Sequence, residues 1–231
     1  MRGNALLKAS AAPADSRAGR YKQDYAYDRM EHAIISGVFP PEKLLVEREL
    51  CEMLVLIRTP VRESLRRLSS EGLVESHPGR GMFVTRLNAA DARQIYELKE
   101  ALERMAVRLC ILRMTGGELE ELGGCLAAHE QAYARGDNEL VADMDLQFHI
   151  LLVEFARSAK IEEHAQAILV QTRRLSQLSV YDTSHTEKFI REHRAIYEAL
   201  RAGDAAAAEE AVSRHIASIG AFQLARLPAY L

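Results

Sequence analysis

The chain has 231 residues, 48% of them apolar and 27% charged, with a net charge of −3. That length suits two domains of ordinary size, each with its own core. So weak a charge excludes a polyelectrolyte-type binder, and any DNA-contacting domain must gather its positive charge on one face.

Residues 1–20 carry four bases and one acid, and Lys8 interrupts the apolar stretch, so this segment reads as a disordered arm and not as a signal peptide. Residues 21–87 carry ten charges of each sign and read as one domain. Its first helix is expected over 24–37, with Met30, Ala33 and Ile34 inward and Gly37 as the stop; Phe39-Pro40-Pro41 then turns the chain. A second helical pattern opens at Glu47-Arg48-Glu49-Leu50 and runs to the turn Val55-Leu56-Ile57. A third follows from Arg58. Pro60 falls in its first turn, where a missing N–H costs nothing. Val61, Leu65 and Leu68 repeat at helical spacing and face inward. Arg58, Arg62, Arg66 and Arg67 lie on other faces, opposed by the single acid Glu63 between Arg58 and Ser70. Gly72 ends this helix. Leu73-Val74 and Met82-Phe83-Val84 can pair as a hairpin, with Pro78-Gly79-Arg80-Gly81 as a small basic tip suited to a phosphate or a minor groove. Helix, turn, basic helix and hairpin in that order make a helix-turn-helix with a wing, the arrangement a major-groove reader needs.

Beyond Asn88 the pattern is helical throughout. Gly116-Gly117, Gly123-Gly124, Gly136-Asp137, Ser158-Ala159, Thr183-Ser184 and Gly203-Asp204 punctuate about six amphipathic helices, with Gly123-Gly124 interrupting or loosening one helix without ending it. Residues 88–231 therefore read as an antiparallel helical bundle. The fold class is mainly α: an N-terminal winged helix-turn-helix plus a C-terminal antiparallel all-α bundle. No apolar run reaches transmembrane length. Cys51, Cys110 and Cys125 show neither metal spacing nor a disulfide framework; they are expected as buried thiols in a reducing cytoplasm.

Four bundle residues form a constellation. Asp145 and His149 are four apart and share a helical face; His193 and His215 stand on the last two helices. One carboxylate and three imidazoles suit a divalent transition metal, zinc first, with nickel, manganese and iron as alternatives. His32, His77, His129, His164 and His185 are read as structural or solvent-facing.

From Tyr27 to Arg86 the chain resembles the GntR family of bacterial winged-helix regulators, on Glu47-Arg48-Glu49-Leu50, Arg58-Thr59-Pro60-Val61-Arg62-Glu63, Glu71-Gly72-Leu73-Val74 and Gly79-Arg80-Gly81. The resemblance implies that Arg48, Arg58, Thr59 and Arg62 contact DNA and that Gly79 and Arg80 form the wing tip. The chain departs from the family at two turns. Val55-Leu56-Ile57 replaces Gly-Val-Ser or Gly-Val-Thr, so a β-branched residue meets a turn that favours glycine, and isoleucine replaces a capping hydroxyl. Glu42 replaces the glycine after Pro40-Pro41.

From Ala89 to Arg226 the chain resembles the FadR-type C-terminal ligand-binding domain of that family, on Leu98-Lys99-Glu100-Ala101-Leu102-Glu103, Asp145-x-x-Phe148-His149, Glu192-His193-x-x-Ile196, Asp204 and His215. It implies that Asp145, His149, His193 and His215 are metal ligands and that a small carboxylic-acid effector binds at or near the metal. Lys99 stands where family members often use an arginine to hold the effector; Arg104, Gln171, Thr172 and Arg174 are further candidates to line the cavity. The implied partners are double-stranded DNA with a near-palindromic operator, the organic acid, and a second copy of the chain; no membrane is implied. Two other readings stay open: an enzyme using the Asp/His site, and a dimerisation domain with a purely structural metal.

Overall fold

A computed structural model describes residues 18–178 and 185–227. Most of the arm expected over 1–20 lies outside the described residues, as does the Thr183-Ser184 break; Ala18–Arg20 already belong to the first helix. The chain divides into two compact units, the second beginning at Asn88.

The first unit holds α1 (Ala18–Ile35), β1 (Leu44–Leu45), α2 (Glu47–Leu54), α3 (Arg58–Ser70), β2 (Val74–His77) and β3 (Gly81–Val84). Its core is built from the inward positions of each element: Ala26, Met30, Ala33 and Ile34 on α1, Leu50 and Leu54 on α2, Val61, Leu65 and Leu68 on α3. The three strands form an antiparallel sheet in the order β1-β3-β2, with Val74 opposite Val84 and Leu44 opposite Phe83. The third strand, β1, is not visible in the sequence, because two residues are too short for a period to show. Gly81 has a positive φ of 109°, and a Cβ there would lie 2.9 Å from Leu44 Cδ1, so glycine lets β1 close on the wing.

Polar bonds lock α3 to α1. Ser64 is fully buried and its hydroxyl donates within reach of the Pro60 and Gln23 carbonyls, both at 2.8 Å. The Tyr27 hydroxyl donates to Glu71 at 2.6 Å, and the Arg67 guanidinium lies 3.5 Å over the Tyr27 ring while bonding Glu71 at 3.1 Å. Arg67 is thereby a structural residue of the reader.

The second unit holds six helices among the described residues: α4 (Ala89–Arg113), α5 (Gly116–Arg135), α6 (Asn138–Phe155), α7 (Ala159–Leu178), α8 (Thr186–Ala202) and α9 (Ala205–Leu224). Helix α4 packs against α6, α7 and α9, and α8 packs against α5 and α9. Asn88 with Asp91, and Thr115 with Glu118, form capping boxes that start α4 and α5; the break expected at Gly116-Gly117 falls at Met114-Thr115, and the two glycines form the first turn of α5. Helix α5 also runs unbroken through Gly123-Gly124. A Cβ at Gly123 would stand 2.9 Å from the Tyr197 hydroxyl, so this glycine allows close approach of α8 and is no helix breaker. Cys110 and Cys125 are buried free thiols, whereas Cys51 is half-buried.

Candidate functional site

The reader surface is built on α3. Arg58, Arg62 and Arg66 recur every four residues, are exposed, and form one basic stripe. Thr59 is exposed beside them. Arg62 is not free in solution: its guanidinium donates to both Glu47 oxygens, at 3.0 and 2.9 Å. Its partner is not Glu63, the one acid of its own helix, but a residue at the start of α2, fifteen residues away. That hydrogen bond holds the Glu47 carboxyl below its ordinary range. Arg48 on α2 is exposed and bonds Glu52 at 2.9 Å. At the wing tip Gly79 takes a φ of 73° and Arg80 is exposed, its guanidinium 5.7 Å from the Phe83 ring centre.

The turn before α3 has the two features its composition predicts. Val55 is left-handed, φ 56° and ψ 45°, a conformation costing a non-glycine residue about 1–2 kcal/mol. Ile57 is the N-cap of α3 and supplies no side-chain capping bond. Neither residue packs into the core: Val55 is 83% and Ile57 71% exposed. Glu42, the other glycine replacement, is also left-handed at φ 64°.

In the helical domain Asp145, His149, His193 and His215 converge, with one ligand atom from each lying within 4.8 Å of the others. Helix α6 brings Asp145 and His149, α8 brings His193, and α9 brings His215. The three imidazole Nε2 atoms stand 3.1 to 3.3 Å apart, and Asp145 Oδ1 is 3.7 Å from His193 Nε2. All three rings are buried, while the Asp145 side chain is 30% exposed.

Carboxylates behind two of the rings fix their tautomers. His149 Nδ1 lies 2.8 Å from Glu103 on α4, and His215 Nδ1 lies 3.2 Å from Glu192 on α8. An ionised carboxylate only accepts, so each Nδ1 carries the proton and each Nε2 presents a lone pair to the centre. Burial lowers the pKa of His149 and, much further, of His193, keeping the rings neutral; the neighbouring imidazoles add to the effect at His193. Nothing holds the His193 Nδ1 among the described residues, so that ring is free to turn its own Nε2 lone pair inward, and three imidazoles and a carboxylate then converge on one point that a cation can occupy. This donor set fits a divalent transition metal: soft enough for zinc or nickel through the imidazoles, with backing hydrogen bonds of the kind metal-binding histidines use.

Two residues expected at the effector are engaged elsewhere. Lys99 is 4% exposed with its Nζ 2.5 Å from Glu103 Oε1. Burial alone would raise the Glu103 carboxyl, but His149 and Lys99 overcome it and hold the group below the usual carboxylate range. The Lys99 charge is thus consumed by the carboxylate that orients His149. Arg104 points outward and bonds Glu209 at 3.2 Å, so it lines no interior cavity. On α7, Gln171 is half-buried, Thr172 is buried, and Arg174 is fully buried, its pKa pulled down to about 10 by desolvation and still cationic at neutral pH.

Sequence reading did not single out Glu103 or Glu192 as partners of the histidines. Glu103 was visible within the α4 motif, and Glu192 immediately precedes His193, but only the fold shows that the latter serves His215. His129 is buried as well, its ring centre 5.5 Å from that of His193, so it belongs to the wall of the centre and not to the surface.

Comparison with known proteins agrees with this division. The profile of bacterial regulatory proteins of the gntR family matches residues 22–84, and that of the FCD domain matches residues 94–218. An uncharacterised HTH-type transcriptional regulator of Bacillus subtilis (strain 168), YdhC, is 31% identical over 195 residues, covering 82% of this chain and 85% of that protein. The HTH-type transcriptional repressor RspR of Escherichia coli (strain K12) is 25% identical over 193 residues, covering 84% and 85%. In fold, the chain is similar to a putative GntR regulator from Rhodococcus sp. RHA1, at a TM-score of 0.72 and 24% identity over 90% of this chain and 99% of that one. It is also similar to McbR/YncC of E. coli, at 0.75 and 22% over 87% and 96%. Reader and bundle thus each fall under their own profile, in the order the chain folds them, and the protein belongs to the GntR family of DNA-binding transcriptional regulators, with an FCD domain behind the reader; it is not an enzyme.

Proposed function

We propose that this regulator holds one divalent metal per chain on Asp145, His149, His193 and His215, and that a small organic acid bound beside the metal controls its hold on DNA. The observation that carries the reading is the approach of three buried imidazole Nε2 atoms to 3.1–3.3 Å of one another. Four protein ligands leave room on a six-coordinate metal for water or a carboxylate, and the partly exposed side of the centre is the one Asp145 occupies. Zinc is the first candidate; nickel, manganese and iron are alternatives. Gln171 and Arg174 are the α7 side chains offered for the effector. The regulator acts as a homodimer paired through the helical domain on a near-palindromic operator, contacting it through Arg48, Arg58, Thr59 and Arg62 and through the wing tip at Gly79 and Arg80. The reader occupies residues 21–87 and the effector domain residues 88–231. Binding of the acid shifts the equilibrium between two placements of the paired readers. No helix among the described residues is long and apolar enough to cross a membrane.

The test is thermal melting of the metal-loaded protein against a panel of small carboxylic acids, followed by operator titration with any acid that raises Tm. The expected result is an acid that both stabilises the protein and changes operator affinity. Metal that is required for folding, with no acid altering DNA binding, would replace this reading by a structural metal.

A further inference from the structure

We propose that Ile57 is a specificity residue of the reader, recognising thymine through its C5-methyl group in the major groove. The inference rests on the DNA-binding role of α3. The N-terminal residues of a recognition helix are the ones that meet base edges, and Ile57 is the N-cap of α3 with an extended backbone, φ −78° and ψ 167°. Its side chain makes no capping bond and is 71% exposed. It is followed at once by the exposed stripe of Arg58, Arg62 and Arg66, whose charge fits phosphates and guanine edges on either side of an apolar contact.

Folding does not account for this residue. A hydroxyl or carboxamide at an N-cap stabilises a helix, and isoleucine forgoes that. The preceding Val55 holds a left-handed conformation that glycine would hold without strain, and it too is exposed. Strained and uncapped positions concentrated in one exposed turn are characteristic of sites kept for binding. Isoleucine offers nothing to a phosphate. The one apolar group on the major-groove edges of the four bases is the thymine methyl, and a branched aliphatic side chain is its complement.

The experiment uses the full chain. Duplexes are first enriched from a random pool, and each thymine of the enriched sequence is then replaced singly by deoxyuridine, which keeps its pairing and loses only the methyl. Affinity is read by fluorescence anisotropy at fixed salt for the parent, Ile57→Ala and Arg62→Ala. The expected result is that deoxyuridine at one or two positions per half-site weakens the parent about fourfold, the equivalent of one methyl left unburied. That penalty should vanish in Ile57→Ala and persist in Arg62→Ala. A parent indifferent to deoxyuridine at every position overturns the proposal. So does a penalty that survives in Ile57→Ala, which would assign the methyl to another side chain. A pool that enriches no sequence also overturns it, whereas loss of all salt-dependent DNA binding by the parent would instead overturn the role of α3. Because Ile57 is exposed, Ile57→Ala should melt like the parent, and a lowered Tm would count against the proposal by showing that the side chain packs.

Discussion

The basic stripe of α3 and the centre of the helical bundle keep their charges in opposite environments. On α3, Arg58, Arg62 and Arg66 stand in solvent, and the Arg62–Glu47 pair holds its geometry with half the guanidinium side chain exposed. In the bundle Lys99, Glu103, His149, His193 and His215 are withdrawn from water almost completely. Exposed ion pairs contribute little to stability and exchange readily for another anion. A buried polar cluster is costly unless every member is satisfied. The exposed arginines of α3 can therefore be replaced one at a time without unfolding, while the bundle centre is tied to the fold that surrounds it. DNA would meet an adaptable surface; a metal would meet a site already shaped.

The sharpest way to break that comparison is to open the buried centre. Replacing His193 with Ala removes the ring whose centre lies nearest to both other imidazoles, at 5.0 and 4.4 Å, and which stacks on Phe148, with centroids 4.3 Å apart. Elemental analysis of protein purified without chelator should find near-stoichiometric metal in the parent and little in the variant. Full retention in the variant sinks the ligand assignment. Chelation of the parent should also lower Tm, since a metal bound only by the folded state stabilises it.

A smaller effect follows from the carboxylates behind the ligands. Glu192→Ala removes the acceptor of the His215 Nδ1 proton without touching a ligand. Metal affinity, measured by competition with a chromophoric chelator, should fall about 10- to 100-fold. An unchanged affinity would mean that the ring is held by packing alone, with Phe189 at 6.2 Å the neighbour to test next.

On the reader, the two leading arginines should differ. Arg58 makes no ion pair among the described residues, whereas Arg62 would have to leave Glu47 in order to contact DNA. Arg58→Ala should cost about 1–3 kcal/mol of operator binding if it reads a base, or reduce the salt slope by about one if it meets a phosphate. Arg62→Ala should cost less, and Glu47→Gln should tighten binding by releasing Arg62. If Glu47→Gln weakens binding, the bridge is a preorganising device and not a competitor.

What the sequence made legible follows the same division between surface and interior. Pro60 in a first turn, Gly72 after Ser70, and the spacing of Val61, Leu65 and Leu68 act within a few residues of chain, so α3 and the wing could be read directly. The Asp145/His149 pair could be read for the same reason, since i and i+4 share a face. The link between Glu192 and His215 could not, because it spans two helices and depends on how they cross. Lys99 misled because its type and position suit an anion, while the anion it serves is Glu103 on the next turn of its own helix. Gly123 misled in the opposite sense: glycine within a helix signals a break locally, but Tyr197 on another helix gives the reason for it.

The smallest effect, and the one that separates affinity from specificity, lies in the turn Val55-Leu56-Ile57. Packing cannot explain Val55 and Ile57, given their exposure. A serine at position 57 can accept from the first-turn N–H groups of α3 and meet a phosphate, worth about 1 kcal/mol as a cap. Glycine at position 55 relieves a left-handed valine, worth about another 1 kcal/mol. Ile57→Ser should therefore raise Tm and tighten binding to the operator at fixed salt, and Val55→Gly combined with it should do both further. Phosphate contacts position a protein and base contacts specify where it stops. If Ile57 reads thymine methyls, the gain should be larger on unrelated DNA than on the operator, because the serine adds a contact any duplex offers and removes one that only thymine offers. The measurement is a pair of titrations, operator and scrambled duplex, for the parent, Ile57→Ser and the double variant. Equal gains on both duplexes would make the turn a plain weakness of the reader. A loss on both would mean that this apolar turn is itself part of the docking surface, and the expectation of a weakened reader would have to be abandoned.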